Sequence, residues 1–318
     1  MKFGIAVGNF GTFGKRGTVS DIVGIARHAE LLGFDSVWLH DHLFMPATIR
    51  ARYPYNESGV AGFAYRQDIY DPLAMMAAIA VNTTRVQIGT SVLIVPYRDP
   101  VVLARMLATA DCLSHGRVVL GLGVGWMQEE FEALGIGDYY PIRGAVTDEW
   151  VRICIALWTG EGPVDFQGRF RSFEGLDPQL RPMRKPHIPL WVGGKGDAAH
   201  RRVARYGSGY HTITSTPDAL RHELADVRVA MERAGRDPSE LEVSMLGPAI
   251  SIGGDGPARP GLISGPRDAM VEQLAEYHRA GLQHAIVLPS FVDAGQPTPE
   301  RTKEALQYVA EELIPALR

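Results

Sequence analysis

Two imidazoles and a carboxylate stand side by side at His40, Asp41 and His42, directly after a short apolar run. A histidine near its ordinary pKa of ~6.5 can donate or accept a proton at cellular pH. We therefore take His42 as the candidate general acid or base; a loop histidine with a satisfied hydrogen bond is the structural alternative. Alternation along an extended chain puts His40 and His42 on one side, so a metal site needs a third ligand, for which His211 is the available donor.

A glycine-rich run spans Gly121–Trp126, with glycine at every second position from residue 121 to 125. It lacks the full spacing of a dinucleotide fingerprint. Glycines at alternate positions remove side chains from one face of a strand, so a flat ring system can lie against the backbone there. Close packing between neighbouring elements is the alternative. Glu129 and Glu130 follow early in the next predicted helix, where carboxylates favour the helix dipole, and we assign them no chemistry.

A second glycine-rich turn, Gly-Gly-Lys-Gly at residues 193–196, opens a predicted helix that begins at about residue 197. Free backbone N–H groups, the positive end of the helix and a lysine meet there, which predicts a phosphate site. The turn is not a Walker loop, because the required spacing is absent. A tight strand-to-helix turn without a ligand is the alternative.

Short β-rich runs alternate with amphipathic helices along the whole chain and position these residues. The pattern implies parallel strands with helical crossovers. Eight such pairs predict an α/β fold, a single (β/α)8 TIM barrel over residues 1–318, and an open doubly wound sheet is the alternative. The predicted strands are Lys2–Gly8, Phe34–His40, Arg85–Val95, Arg117–Val124, Ile188–Gly193, Gly209–Thr214, Leu241–Gly247 and Gln283–Leu288.

Two stretches interrupt the alternation, at about residues 43–70 and 161–186. The first is rich in Tyr, Gly, Pro and Arg, and the second carries several prolines and glycines. We predict both as loop insertions at the C-terminal face of the barrel, where loops build active sites and long ones cover them. A surface excursion that contacts a second subunit is the alternative for the first.

Charge and composition restrict the class of partner. The 318-residue chain has a formal net charge of −4, so it lacks a basic field for nucleic acid, and small molecules are the expected partners. Its two cysteines, Cys112 and Cys154, have neither disulfide-scaffold nor zinc spacing, which predicts a cytoplasmic protein without a metal. The longest apolar run, Leu73–Val81, is about half of a membrane span, and we predict no membrane segment.

Several segments, taken in order, resemble the bacterial luciferase-like monooxygenase superfamily of flavin and deazaflavin oxidoreductases, and most of all its coenzyme F420-dependent branch. The resemblance extends over nearly the entire chain and implies a (β/α)8 barrel. The segments that carry it are Ser36–His42, Asp111–Arg117, Gly121–Trp126 with Glu130, Phe131 and Gly135, Glu149 with Leu157 and Trp158, Pro186–Gly194, and Gly281.

The resemblance implies an oxidoreductase that moves a hydride between coenzyme F420 and a small organic substrate. It implies that His42 is catalytic, as acid or base or by shaping the pocket, and that Asp41 lies near the coenzyme. It further implies a cis peptide bond between Ser91 and Val92 that bulges behind the ring. An FMN-dependent monooxygenase that uses O₂ and a non-catalytic coenzyme-binding protein are the alternatives.

The resemblance extends to the two glycine-rich segments and to the assembly. It implies a homodimer, a ring lined by the first segment and a phosphate approached by the second. These two segments, with the lysine of the predicted phosphate turn, add six predicted coenzyme-binding residues to Asp41, Ser91 and Val92. The six are Gly123, Gly125, Trp126, Gly193, Gly194 and Lys195.

Overall fold

Eight parallel strands close into a barrel in the computed structural model of the protein. The structure describes residues 1–9, 18–54, 58–61, 68–214, 216–252, 260–291 and 297–318. The barrel order is first, second, third, fifth, eighth, ninth, tenth and twelfth strand, and the last pairs with the first. The strands are β1 (Lys2–Ala6), β2 (Ser36–Leu39), β3 (Gln87–Thr90), β4 (Leu93–Ile94), β5 (Val118–Gly123), β6 (Val164–Gln167), β7 (Ser172–Leu176), β8 (Leu190–Gly193), β9 (Gly209–Thr212), β10 (Glu242–Ile252), β11 (Leu262–Ile263) and β12 (His284–Phe291).

Helices surround this barrel, and the predicted TIM barrel is confirmed. One helix begins with a well-defined cap, in which the Asp99 side chain accepts hydrogen bonds from two backbone amides and Pro100 takes the first helical position. Within the described ranges, no helix is long and apolar enough to cross a membrane. The helices are α1 (Val19–Leu31), α2 (Pro72–Ala80), α3 (Pro100–Leu113), α4 (Gln128–Ala133), α5 (Arg143–Thr159), α6 (Asp197–Tyr206), α7 (Pro217–Arg233), α8 (Arg267–Arg279) and α9 (Pro299–Tyr308).

Two tryptophans fill the interior of the barrel. Trp38 on β2 and Trp191 on β8 are buried, and their rings stack with centroids 5.1 Å apart. Glycines on neighbouring strands make room for them, because a Cβ atom at Gly89 would lie 2.4 Å from the Trp38 ring and one at Gly209 would lie 2.4 Å from the Trp191 ring. The interior is therefore a packed core, and a ligand must bind above it, at the carboxyl ends of the strands.

The third predicted strand, Arg85–Val95, is interrupted. It forms β3 and the short β4, with Ser91 and Val92 between them. Strand β4 pairs with β5, which places Leu93 beside Leu122. The interruption lies at the carboxyl end of β3, so it belongs to the face of the barrel where ligands bind.

The two insertions lie in different places. Residues 43–70 connect β2 to α2 at the carboxyl face, as predicted, although residues 55–57 and 62–67 lie outside the described residues. Residues 161–186 connect α5 to β8, and they contain the antiparallel hairpin of β6 and β7. The hairpin packs on α5, where the Glu149 carboxylate accepts three backbone N–H groups of residues 169–171, each at 2.8 Å. The second insertion therefore braces the helix layer, and the expectation of a loop at the C-terminal face is corrected for it.

Candidate functional site

His42 lies three residues beyond the end of β2, at the carboxyl face of the barrel. Its Nδ1 atom is 3.0 Å from Oε2 of Glu130 on α4, and 12% of its side chain is exposed. The strand therefore positions the backbone of His42, and a carboxylate from a helix 88 residues further along the chain orients its ring.

Glu130 is fully buried and accepts hydrogen bonds from three donors. The N–H of Leu43 donates to Oε1 at 2.7 Å, and the hydroxyl of Tyr97 donates to Oε2 at 2.8 Å. Burial, and next the charge of Glu130, raise the pKa of Tyr97, so its hydroxyl stays protonated and donates. Because an ionised carboxylate only accepts, Nδ1 of His42 carries its proton toward Glu130, and Nε2 carries the lone pair of the neutral imidazole.

The role of Glu130 was missed in the sequence, where it was assigned no chemistry. A carboxylate in the first turn of a helix has an adequate explanation in the helix dipole, and its partner His42 is remote in the chain. The available signal was its place, with Phe131, among the segments that carry the family resemblance.

Its neighbour Glu129 holds the first insertion. Oε1 of Glu129 accepts the backbone N–H of Arg50 at 2.6 Å and that of Ala51 at 3.2 Å. Two consecutive carboxylates of the short helix α4 thus have different partners: Glu129 holds the first insertion, and Glu130 orients the ring of His42.

Asp41 points away from His42 and is fully engaged. Its carboxylate forms a two-point ion pair with Arg98, at 2.7 and 2.9 Å, and accepts the N–H of Ile94 at 2.9 Å. Burial raises the pKa of Asp41, and the hydrogen bonds and charge of Arg98 act in the opposite direction. Arg98 also pairs with Asp71, which caps α2. Asp41 therefore fixes β4 beside the carboxyl face, and its predicted contact with a coenzyme stays a prediction.

The Ser91-Val92 peptide bond is cis, as the resemblance implies. The side chain of Val92 lies between two of the glycines singled out in the sequence. A Cβ atom at Gly123 would lie 2.5 Å from Cγ2 of Val92, and one at Gly193 would lie 2.8 Å from Cγ1. The expectation that the alternate glycines of residues 121–125 leave bare backbone is therefore corrected at Gly123, because Val92 occupies the space beside it. Whether Gly123 and Gly193 also contact a coenzyme stays a prediction.

Gly125 and Trp126 lie beside His42. Gly125 has a φ of +82°, which favours glycine, and its missing side chain makes room for Ile94. The Trp126 ring meets the edge of His42 with centroids 6.1 Å apart and that of Tyr53 with centroids 5.1 Å apart. Aromatic rings thus line the surroundings of the candidate acid or base on the side of the first insertion.

The predicted phosphate turn lies at the start of α6. Gly194 and Gly196 have φ values of +107° and +79°, and no side chain caps the helix within the described residues. The Nζ atom of Lys195 is 2.9 Å from Oε1 of Glu223, whose other oxygen accepts the hydroxyl of Thr212 at 2.6 Å. The helix end can accept an anion through backbone N–H groups, while the charge of Lys195 is shared with Glu223.

The alternative of a metal site required His40, His42 and His211 to converge. The nitrogens of His40 and His211 instead reach different atoms of Ser91, while that of His42 reaches Glu130. Among the described residues, no group of three or more His, Cys, Asp or Glu side chains has the arrangement of a metal site.

Comparison with known proteins finds, among others, proteins described as F420-dependent and a structural neighbour in complex with FMN. An F420-dependent glucose-6-phosphate dehydrogenase of Amycolatopsis mediterranei is 34% identical over 192 residues, which cover 60% of this chain and 52% of that protein. A solved structure of an F420-dependent secondary alcohol dehydrogenase in complex with an F420-acetone adduct has a TM-score of 0.77 at 21% identity, over 100% of this chain and 99% of that one. The oxygenating constituent of 3,6-diketocamphane monooxygenase of Pseudomonas putida, in complex with FMN, has a TM-score of 0.75 at 18% identity, over 99% and 98%. The two structures share the fold of this chain.

A family model described as luciferase-like monooxygenase matches residues 1–255. This range includes every candidate site residue named above, from Asp41 to Lys195. The chain, with its closed barrel of eight parallel strands, belongs to the luciferase-like monooxygenase family.

Proposed function

We propose that the protein is an oxidoreductase that transfers a hydride between coenzyme F420 and a small organic substrate. The observation that carries the proposal is the pair of His42 and Glu130, in which a fully buried carboxylate orients a partly exposed imidazole at the carboxyl face of the barrel. The F420-dependent relative and the F420-bound neighbour support the choice of coenzyme. When bound, the deazaflavin ring supplies the hydride chemistry, and the protein supplies binding, orientation and electrostatics.

The turn before α6 fits the phosphate of such a coenzyme. A Cβ atom at Gly196 would meet nothing within 4 Å and one at Gly194 would only touch Ala199, so the turn is open to a ligand. We propose that Gly193, Gly194 and Lys195 approach the phosphate there. Because Lys195 already pairs with Glu223, the backbone N–H groups supply most of the attraction.

The ring is assigned to the space between this turn and His42. Ser91 and Val92 are the proposed wall behind it, since the side chain of Ser91 bonds to His211 in the barrel and that of Val92 lies between strands, which leaves the backbone of the segment as its outer surface. The other proposed coenzyme-binding residues are Asp41, Gly123, Gly125 and Trp126.

His42 is proposed to exchange the proton that accompanies the hydride. Its Nε2 atom carries the lone pair when the ring is neutral, and Glu130 stabilises the imidazolium that forms when that atom takes a proton. We also propose that the first insertion, which Glu129 attaches through two backbone hydrogen bonds, helps to exclude water from the ring. We also propose a homodimer in the cytoplasm that has no nucleic-acid or membrane partner.

An FMN-dependent monooxygenase is the second candidate function. It is favoured by the family match and by the FMN-bound neighbour with the same fold. A coenzyme-binding protein without turnover is a weaker alternative, because simple binding requires no buried carboxylate behind an exposed imidazole.

Titration of the full-length apoprotein with each coenzyme tests the proposal. We expect F420 fluorescence to be quenched on binding and the melting temperature to rise at lower concentrations of F420 than of FMN, because a ligand that binds the folded state stabilises it. Tight binding of FMN without binding of F420 would instead establish the second candidate, and binding of neither would reject both.

A further inference from the structure

Two histidines, the half-buried His40 and the buried His211, contact different atoms of Ser91. Nδ1 of His40 is 2.8 Å from the carbonyl oxygen of Ser91, and Nε2 of His211 is 2.8 Å from its hydroxyl oxygen. The second contact continues into the barrel, because Nδ1 of His211 is 2.8 Å from the hydroxyl of Ser244, which donates to the carbonyl of Tyr210 at 3.3 Å.

The direction of every hydrogen bond in this chain follows from its two ends. The carbonyl of Tyr210 only accepts, so Ser244 donates to it and accepts from Nδ1–H of His211. His211 then has its lone pair on Nε2 and accepts the hydroxyl proton of Ser91. At the other end the carbonyl of Ser91 only accepts, so His40 donates through Nδ1–H. His211 is neutral in this arrangement, because one of its ring nitrogens donates and the other accepts, and each bond has one donor and one acceptor.

Burial makes these bonds hard to replace with water. Ser91, His211 and Ser244 are 8%, 4% and 0% exposed, and the ring of His211 stacks on Trp38 at an interplanar angle of 6°. A buried polar group that loses its partner costs much more than the net gain from one hydrogen bond. Val92 is fixed as well, between Gly123 and Gly193.

We propose that His211 and His40 are positioning residues that hold the Ser91–Val92 segment in place as the wall of the coenzyme site. The inference rests on the proposed function, in which this segment lies behind the ring. Neither histidine needs to touch the coenzyme. His211 acts through the side chain of Ser91, and His40 acts through its backbone carbonyl.

The first test compares two variants of His211 with a matched control. His211→Leu removes the acceptor for Ser91, and we expect the Kd for F420, measured by fluorescence quenching, to rise about tenfold, since one lost buried hydrogen bond is of that order. His211→Gln keeps an acceptor, and we expect its Kd to stay within about threefold of the wild type. His284→Leu breaks a similar buried bond, to Ser36 at 2.7 Å, and we expect wild-type affinity.

The second test does not depend on the coenzyme. In the full chain with ¹⁵N-labelled histidine, the nitrogen chemical shifts of His211 and His40 report which ring atom carries the proton. We expect both to be protonated at Nδ1. Protonation of His211 at Nε2 would overturn the proposed directions of the hydrogen bonds. An affinity in His211→Leu equal to that of the His284→Leu control would overturn the positioning role of His211.

Ser91→Ala provides a second test of the same hydrogen bond in case the His211→Leu protein fails to fold. It removes the same bond from its other end, and we expect the same rise of about tenfold in Kd. Wild-type affinity in folded Ser91→Ala would refute the positioning role. A wild-type protein that binds neither F420 nor FMN would refute the proposed function instead, whereas the tautomer of His211 would still be decided by its chemical shifts.

Discussion

Two of the histidine–serine hydrogen bonds inside the barrel lie at opposite ends of its interior. His211 bonds to Ser91 at 2.8 Å beside the carboxyl face. His284, the first residue of β12, bonds to Ser36 at 2.7 Å toward the amino ends of the strands. All four residues are buried. The comparison shows that similar chemistry serves stability at one end of a barrel and, in our proposal, the positioning of a ligand-binding segment at the other.

Trp38 connects the two bonds. Its ring stacks on His211 and meets His284 at its edge, and its Nε1–H donates to Ser36 at 2.6 Å. The indole therefore separates the two ends of the interior while it contacts both, so a change at either end affects stability. Only a change beside the carboxyl face is expected to affect the coenzyme site directly.

The largest expected contrast is between His42→Ala and His284→Gln. Loss of the acid or base should lower kcat by about 100-fold or more, while the Kd for F420 stays within a few-fold. His284→Gln should retain kcat and lose only stability, which steady-state kinetics together with urea unfolding will show. An unchanged kcat in His42→Ala would remove His42 from the mechanism.

Glu130→Gln gives a graded form of the same experiment. The amide keeps the size of the side chain and lacks the charge that stabilises the imidazolium, so we expect kcat to fall by about tenfold with KM unchanged. Glu129→Gln is the matched control, because it lies next in the chain and bonds to the insertion rather than to His42. Equal losses of kcat in the two variants would contradict a special role for Glu130.

A pair of glycine substitutions tests the same comparison by overpacking the protein either beside Val92 or beside Trp38. Gly123→Ala would place its Cβ atom 2.5 Å from Val92, and Gly89→Ala would place one 2.4 Å from Trp38. Overpacking should lower the free energy of unfolding by about 1–3 kcal/mol in both. Affinity for F420 should fall in Gly123→Ala alone, since only that variant displaces the Ser91–Val92 segment. The opposite order of affinities would argue against this segment as the wall of the site.

The last prediction concerns the pH dependence of stability, which is expected to differ little at neutral pH. Burial, and next the proximity of His284 and His40, lower the pKa of His211 to about 3. Between about pH 6.5 and pH 3 the unfolded chain therefore binds a proton that the folded chain does not, and the free energy of unfolding falls as the pH falls, by about 1.4 kcal/mol per unit. His211→Gln should lose this part of the slope in urea titrations at several pH values; identical slopes would contradict it.

The sequence predicts the barrel well because the signal for a buried parallel strand is local. Each of the eight apolar runs became a barrel strand, although Arg85–Val95 was too long, since apolar character does not show where a strand bends. The hairpin in residues 161–186 was not predicted, because its short strands alternate too briefly to give a clear period.

The site was predicted only where residue type alone carries the chemistry. An imidazole can exchange a proton near neutral pH wherever it lies, so a role for His42 as acid or base could be proposed from the sequence. Glu130 could not be paired with it, because 88 residues separate them. A missing side chain at Gly123 is visible in the sequence, but the atom that fills the space, on Val92, is a property of the folded chain.

The way in which Glu129 attaches the first insertion allows the side chains of that insertion to change. Glu129 accepts hydrogen bonds from the backbone N–H groups of Arg50 and Ala51. Every residue except proline has such an N–H group. Side chains of the insertion can therefore be exchanged while these two hydrogen bonds persist, and the carboxylate of Glu130 continues to orient the ring of His42. If His42 exchanges a proton as proposed, new substrate preferences can arise, in nature or by design, without a change in the pair of His42 and Glu130.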